Sequence, residues 1–339
     1  MNEEVLIVGA GPIGLACAIS ARRRGVDPLV IDAGAIANSI LHYPVGMVFF
    51  TTPERLEIGG HPLVCSGPKA TREEALKYYR GVSRAEGLRI RTFVRLMSAE
   101  RGNDGLVCRL ATRLGEERLS CARLVLATGY FDQPKLLDVP GETLPHVSHY
   151  AEEAHLSTGL DVVIVGAKNS AVEQALNCYR SGARVTLISR RATLKPSVKY
   201  WLKPDLENRI KAGEIAARWG ATVARIDARH VVISNNAGQE ELVPADRVYL
   251  LTGYQPDFDL FRRLGIGLNP ESCRPSIDPE TLETNVPGVY LAGSVTAGKQ
   301  ISEVFIENGR YDGEKIFGVL ASVSARARLS WSLPRVLGE

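Results

Sequence analysis

Residues Val5 to Asp32 read VLIVGAGPIGLACAISARRRGVDPLVID, and their reading decides the fold. Four consecutive aliphatic residues, Val5 to Val8, make a strand buried on both faces. The turn Gly9-Ala10-Gly11-Pro12-Ile13-Gly14 follows, then an apolar helix that ends at Arg23-Arg24-Gly25, then a second aliphatic strand ending at Asp32. This is a βαβ unit whose turn is G-x-G-x-x-G and whose second strand carries an acid at its tip. Each position has a task in holding a dinucleotide. Gly9 permits the tight turn, Gly11 lets backbone approach a pyrophosphate, Gly14 lets the helix pack closely, and the helix amino terminus favours the phosphate charge. Pro12 lies between the last two glycines and is counted in the same site. Asp32 is placed to accept hydrogen bonds from an adenosine ribose.

The pattern occurs twice. Val162 to Ser189, VVIVGAKNSAVEQALNCYRSGARVTLIS, aligns with the first stretch without a gap. Gly166 and Ala171 keep the first and third turn positions, and Lys168 replaces the middle glycine. A lysine there brings positive charge to a pyrophosphate, while its bulk works against close backbone approach. Asn169 and Ser170 follow at the start of the helix and complete this site. The counterpart of Asp32 is Ser189, followed by Arg190 and Arg191. An acid that would repel a 2′-phosphate is thus exchanged for a hydroxyl and two cations, which is the NADP pattern.

A second echo closes each unit: Leu124 to Tyr130 (LVLATGY) and Val248 to Tyr254 (VYLLTGY) are apolar strands ending in Thr-Gly-Tyr. Thr128 and Gly129 are expected to close the first site and Gly253 the second. Residues 131–150 read as a crossover linker and Gln255-Pro256-Asp257 as the return. The expected architecture is α/β, with two Rossmann-like dinucleotide-binding domains, the second inserted in the first. Residues 1–130 and 256–339 form one domain and 151–254 the other.

Two different dinucleotides in one chain imply a bound redox group and a diffusible hydride source, and FAD with NADPH fits that division. FAD falls to the first domain and NADPH to the second. Near the end, Asn285 to Ser294 gives a strand finishing in Gly293-Ser294, then a loop, then a helix expected from about Gln300. That helix, with Gln300 and Ile301 at its start, would aim its amino-terminal dipole at the flavin pyrimidine edge. The segment Tyr43 to Phe50 is expected to wall the isoalloxazine with apolar surface, with Tyr43 and Phe50 as its outer members.

Composition sets the limits. A chain of 339 residues is long enough for two domains. With 45% hydrophobic and 23% charged residues it is neither disordered nor, lacking an apolar run of about 18 residues, membrane-spanning. A net charge of +3 with scattered arginines argues against nucleic acid. Met1-Asn2-Glu3-Glu4 leads straight into a strand with no secretory signal, so a cytoplasmic location is expected; a homo-oligomer is expected as well. The six cysteines show no C-x-x-C and no metal spacing, and they read as reduced and mostly buried. His146 and His149 read as linker residues, and no metal site is expected.

These features together resemble the two-dinucleotide-binding flavoproteins related to thioredoxin reductase, from Val5 to about Gly313. The closer resemblance is to the bacillithiol-disulfide reductase family. It is carried by Tyr43-Pro44 with Phe49-Phe50, Tyr78-Tyr79-Arg80, Gly166-Ala167-Lys168-Asn169-Ser170-Ala171, and Phe305-Ile306-Glu307-Asn308-Gly309. The resemblance implies FAD, NADPH and reduction of a low-molecular-weight disulfide or another diffusible acceptor.

Three positions depart from it. Thioredoxin reductases carry a C-x-x-C in the inserted domain, and this chain has none. The bacillithiol-linked relatives typically have a cysteine where Ile13 stands. Related FAD proteins often have an acid where Ser294 stands. Cys17, one helical turn beyond Ile13, falls on the face that packs against the sheet, so no catalytic residue is assigned.

Three other readings remain at this point. A ferredoxin-NADP reductase would use a basic docking face, hinted at by Arg326, Arg328 and Arg335 around Trp331, with a ferredoxin-like partner. A flavin monooxygenase is suggested by Gly141 to Tyr150 (GETLPHVSHY). A nucleotide redox sensor without turnover shares the same turns.

Overall fold

The computed structural model describes residues 2–102, 105–301 and 303–318. The basic tail with Arg326, Arg328, Trp331 and Arg335 lies outside them. Contacts divide the chain into two compact units. Among the described residues, one unit holds those up to Gln133 and from Gln255 to Gly318, and the other holds Pro134–Tyr254, with the four residues His42–Val45 grouped with the second.

In the first unit the strands are β1 (Asn2–Val8), β2 (Leu29–Asp32), β3 (Arg89–Thr92), β4 (Arg95–Gly102), β5 (Gly105–Thr112) and β6 (Gly115–Leu126). The second unit contributes β7 (Val147–Ser148), β8 (Asp161–Val165), β9 (Arg184–Ser189), β10 (Ala216–Trp219), β11 (Ala221–Ile226), β12 (His230–Asn235), β13 (Glu240–Pro244) and β14 (Arg247–Leu250). The chain then returns to the first unit with β15 (Val289–Leu291).

The first sheet runs β3-β2-β1-β6-β5-β4, with β15 beside β6. Strand β6 changes partners along its length. Its first half pairs antiparallel with β5, and its second half lies parallel to β1 and β15. The parallel core β3-β2-β1-β6-β15 brings the carboxyl ends of these strands to one edge, where ligands bind in such sheets. Strand β1 is covered on both faces, which is why it reads as a continuous apolar run. Leu6 and Val8 join the core that includes Phe261 and Leu291, while Val5 and Ile7 point the other way and are equally buried.

The helix Pro12–Arg22 buries eight consecutive residues, Gly14 to Ala21. Its other side meets the helical residues 312–318 so closely that a Cβ on Gly313 would stand 2.7 Å from the Cys17 Cα. A helix sandwiched in this way has no polar face, and this one has almost none in its sequence. The helix Arg72–Ala85 is amphipathic instead and opens with a capping box. Thr71 Oγ1 accepts from Glu74 N, and Glu74 Oε2 accepts from Thr71 N at 2.8 Å.

The second unit has a parallel sheet in the order β10-β9-β8-β14-β7 and a three-stranded antiparallel sheet β11-β12-β13. One core packs the helix Asn169–Arg180 on the parallel sheet through Ala171, Ala175 and Leu176, and another joins the two sheets through Val163, Ile188 and Val231. Residues 131–150, expected as a crossover linker, divide between the units. Residues 134–150 group with the second because Val147-Ser148 adds a strand to its sheet and Ile226 N donates to Pro140 O. Gly141 to Tyr150 is part of this packing: a Cβ on Gly141 would strike Ile226 O. Within it the buried Glu142 carboxylate accepts from the backbone N–H groups of Leu137 and Asp138 at 2.8 Å.

Candidate functional site

The two glycine turns are built alike. In the first, Gly9 N donates to Ile31 O and Ala127 N to Val8 O, and in the second, Gly166 N donates to Ile188 O and Leu251 N to Val165 O. Both first glycines have positive φ, +112° and +147°. A Cβ on Gly9 would lie 2.3 Å from Ala127 O, and one on Gly166 would lie 2.6 Å from Leu251 O. Strand β6 therefore closes the first turn and β14 the second, each through the carbonyl just past its end.

The middle position behaves differently. Gly11 (φ −75°, ψ 176°) and Lys168 (φ −112°, ψ −177°) are both extended N-cap residues, so neither torsion requires glycine. A Cβ on Gly11 has nothing within 4 Å, which leaves open space above the first residue of the helix, Pro12. At the third position a Cβ on Gly14 would lie 1.8 Å from Gly9 O. Ala171 carries a methyl at the matching place, 3.0 Å from where a Cβ on Gly166 would stand.

Asp32 does structural work as well as facing the site. Its carboxylate accepts from Ala10 N and Gly34 N, each at 2.7 Å, which ties the strand tip to the glycine turn. Burial pushes this carboxyl above its ordinary value, against the opposing effect of those two N–H donors. It lines a cleft with Gly9, Thr128, Gly129, Arg95 and Asp132. Thr128 Oγ1 is buried with no hydrogen-bond partner among the described residues. Its counterpart in the second unit, Thr252, is satisfied by Lys135 O at 2.7 Å.

Arg95 and Asp132 were not among the sequence candidates. Arg95 arrives because Val94 N donates to Asp32 O and Phe93 N to Gly34 O, which folds the start of β4 against the acid. No local sequence signal marks that contact.

In the second turn, Lys168 gathers other cations. Crowding by protein, and then the charges of Lys195, Lys135 and Arg191, push its ammonium below the ordinary lysine range. Lys195 and Lys135 are further residues that the sequence reading did not single out. Asn169 has an anchoring role, since its Oδ1 accepts from Lys199 N at 2.9 Å. Ser170, Arg190 and Arg191 are exposed, and Ser189 Oγ accepts from Arg191 N at 3.0 Å. Gly253 lies just past β14, with its carbonyl accepting from Lys135 N.

The late segment differs from expectation at one point. Gly293 to Ala297 form a 3-10 turn in which Gly293 N donates to Asp312 Oδ2, and Ser294 is half-buried. Gln300 and Ile301 lie in a loop, and the helix expected from about Gln300 begins instead at Ile306. Asn308 sets that start, because its Oδ1 accepts from Phe305 N and its Nδ2 donates to Glu303 O. The segment Tyr43 to Phe50 also divides: Tyr43 is half-buried in the stretch grouped with the second unit, Phe49 is buried, and Phe50 is exposed and meets Phe305 edge-on. Ile13 packs against Gly293 and Gly309. Cys17 is fully buried, and burial, then Asp312, pushes its thiol far up.

The family described as pyridine nucleotide-disulphide oxidoreductase matches residues 6–293. The chain belongs to that family. It is 38% identical to the bacilliredoxin reductase Bdr of Bacillus subtilis over 323 residues, which cover 95% of this chain and 98% of that one. The solved bacillithiol disulfide reductase Bdr (YpdA) from Bacillus cereus is 37% identical, with a TM-score of 0.92 over 95% of this chain and all of that one. A thioredoxin reductase from T. acidophilum, 22% identical with a TM-score of 0.73 over 96% of this chain and 99% of that one, shares the fold.

As a member of this family the chain is an NADPH-dependent flavoprotein reductase with FAD and NADPH as cofactors. The residues present fit the dinucleotides. The open space over Gly11, the buried Thr128 hydroxyl and the acid at Asp32 suit the adenosine and pyrophosphate of FAD. The cations around Lys168 suit the phosphates of NADPH.

Proposed function

We propose that the chain reduces a low-molecular-weight disulfide of the bacillithiol class: NADPH, H⁺ and the disulfide give NADP⁺ and two thiols. When bound, NADPH supplies the hydride and FAD holds its two electrons until the acceptor takes them. The observation that carries this reading is similarity over 95% of the chain to proteins named bacilliredoxin reductase and bacillithiol disulfide reductase, in a chain with two dinucleotide-type turns.

The first unit holds FAD, with Gly9, Gly11, Pro12 and Gly14 at the pyrophosphate and Asp32, Thr128 and Gly129 at the adenosine. The second holds NADPH, with Gly166, Lys168, Asn169, Ser170 and Gly253 around the phosphates and Arg190 and Arg191 at the 2′-phosphate. Phe50, Gly293, Ser294, Gln300 and Ile301 serve the flavin end. The enzyme works in the cytoplasm as a homo-oligomer. No described helix is long and apolar enough to cross a membrane.

No cysteine carries electrons in this reading. Cys17 has no access to solvent and Ile13 offers no thiol, so the protein's part is to position the rings and exclude water.

The test is steady-state NADPH oxidation, followed at the nicotinamide absorbance, with bacillithiol disulfide as acceptor and ferredoxin as the competing acceptor. Sustained turnover with the disulfide and stoichiometric release of two thiols is expected. A flavin that NADPH reduces but the disulfide does not reoxidise refutes the assignment, and faster turnover with ferredoxin replaces it.

A further inference from the structure

Tyr200 and Trp201 are large aromatics left at the surface: Tyr200 is 83% exposed and Trp201 49%. Their rings meet edge to face, with centroids 4.9 Å apart at 89°, and Lys199 Nζ lies 5.5 Å from the centre of the Trp201 ring. The segment that carries them is tightly anchored. Lys195 N donates to Ala167 O, Lys199 N donates to Asn169 Oδ1, and Lys199 Nζ reaches Glu173 at 2.6 Å. Leu194 and Val198 are buried beneath it. Two of those anchors, Ala167 and Asn169, belong to the second glycine turn.

Topology fixes which side of the turn the rings occupy. The helix Lys203–Lys211 joins the parallel neighbours β9 and β10, so its amino end lies at the carboxyl edge of the sheet, as does the turn at Gly166. The order β10-β9-β8-β14 sets that end on the β9 side of the turn, where Ser189, Arg190 and Arg191 finish the strand. In a dinucleotide fold the adenosine half extends to that side. From Arg190 to Lys203 the chain has five cations and no acid; Lys199 and Lys203 pair with Glu173 and Glu207, so it is Arg190, Arg191 and Lys195 that favour a polyanion. Aromatic faces in a cationic setting match a nucleotide, whose base stacks while its phosphates pair.

We propose that Tyr200 is the stacking platform for the adenine ring of NADPH, with Trp201, perpendicular to it, bracing the Tyr200 ring edge-on, an inference that rests on the second turn holding that nucleotide. Stacking does not sense the 2′-phosphate, so it contributes equally to NADPH and NADH. The arginines act on NADPH alone.

The test uses the FAD-loaded enzyme and adenosine 2′,5′-bisphosphate, the adenine half of the nucleotide, titrated by calorimetry. Tyr200→Ala should raise its Kd roughly tenfold, and Trp201→Ala, which removes only the edge-on brace, should raise it by less. Tyr200→Phe should restore it. The KM values for NADPH and NADH should rise by the same factor, with kcat at saturating NADPH unchanged. Unaltered affinity for the bisphosphate in both alanine variants, at native flavin content and circular dichroism, overturns the proposal. Loss of NADPH affinity without loss of bisphosphate affinity overturns it too, since the rings would then meet the nicotinamide half. A wild-type enzyme that does not bind the bisphosphate at all refutes the underlying NADPH site instead.

Discussion

Replacing Gly11 by alanine is expected to cost FAD affinity while leaving the fold almost untouched, whereas Gly14→Ala should damage both. Gly11 has torsions that any residue adopts, and a Cβ there meets no protein atom within 4 Å. At an N-cap alanine is worse than glycine by up to about 1 kcal/mol, so the FAD-free protein should lose no more than about 4 °C in Tm. The methyl would occupy the space through which a pyrophosphate reaches the helix amino terminus. Loss of one charge-assisted hydrogen bond, about 1.5 to 3 kcal/mol, weakens FAD binding roughly tenfold to a hundredfold.

At Gly14 the added Cβ would stand 1.8 Å from Gly9 O and 2.9 Å from Gly9 C, both backbone atoms of the turn itself. The helix must retreat by roughly an ångström, and overpacking of this kind costs about 1 to 3 kcal/mol or more. Fluorescence titration of the apoprotein with FAD and thermal unfolding of the same samples separate the two effects. A Gly11→Ala protein with wild-type FAD affinity would show that backbone does not close on the pyrophosphate there. A Gly14→Ala protein with wild-type Tm would refute the packing argument.

Three other outcomes are expected. Replacing both Arg190 and Arg191 by alanine should raise the KM for NADPH roughly tenfold to a hundredfold and leave that for NADH nearly unchanged, and equal losses with both would mark a structural role. Cys17→Ser should keep NADPH-to-acceptor turnover while losing about 1 to 3 kcal/mol of stability to a buried hydroxyl, and a variant that accepts hydride yet no longer passes electrons on would make Cys17 a redox thiol. Glu74, held down to about 2 from its ordinary 4.5 by the N–H groups of Thr71 and Ser66, contributes stability that is present above 4.5 and lost as pH falls towards 2. Glu74→Gln should therefore flatten the acid limb of the unfolding profile in that window, and superimposable limbs for both proteins would rule the contribution out.

The amino-acid sequence by itself determined both βαβ units, the two turns and the exchange of Asp32 for Ser189-Arg190-Arg191. All of these are local: strand and helix periods, glycine where a carbonyl crowds the chain, and charge at a strand tip are written within some thirty residues. The burial of Cys17 was legible for the same reason, because a helix without a polar face has nowhere exposed to put it. The resemblance to disulfide reductases also rested on short runs of adjacent residues.

Tertiary structure alone decided what distant segments bring to those turns. Ala127 O and Leu251 O press on Gly9 and Gly166 because β6 and β14 pair beside them, across more than eighty residues of chain in each case. The identical Thr-Gly-Tyr tripeptides part company for the same kind of reason: Lys135 O reaches Thr252, while the Thr128 hydroxyl has no partner among the described residues. Arg95 reaches Asp32 through a strand corner, and Asn308 moves the late helix to Ile306. Sequence pattern records which face of an element is apolar. It does not record which carbonyl or carboxamide arrives there, because that depends on register between strands far apart in the chain.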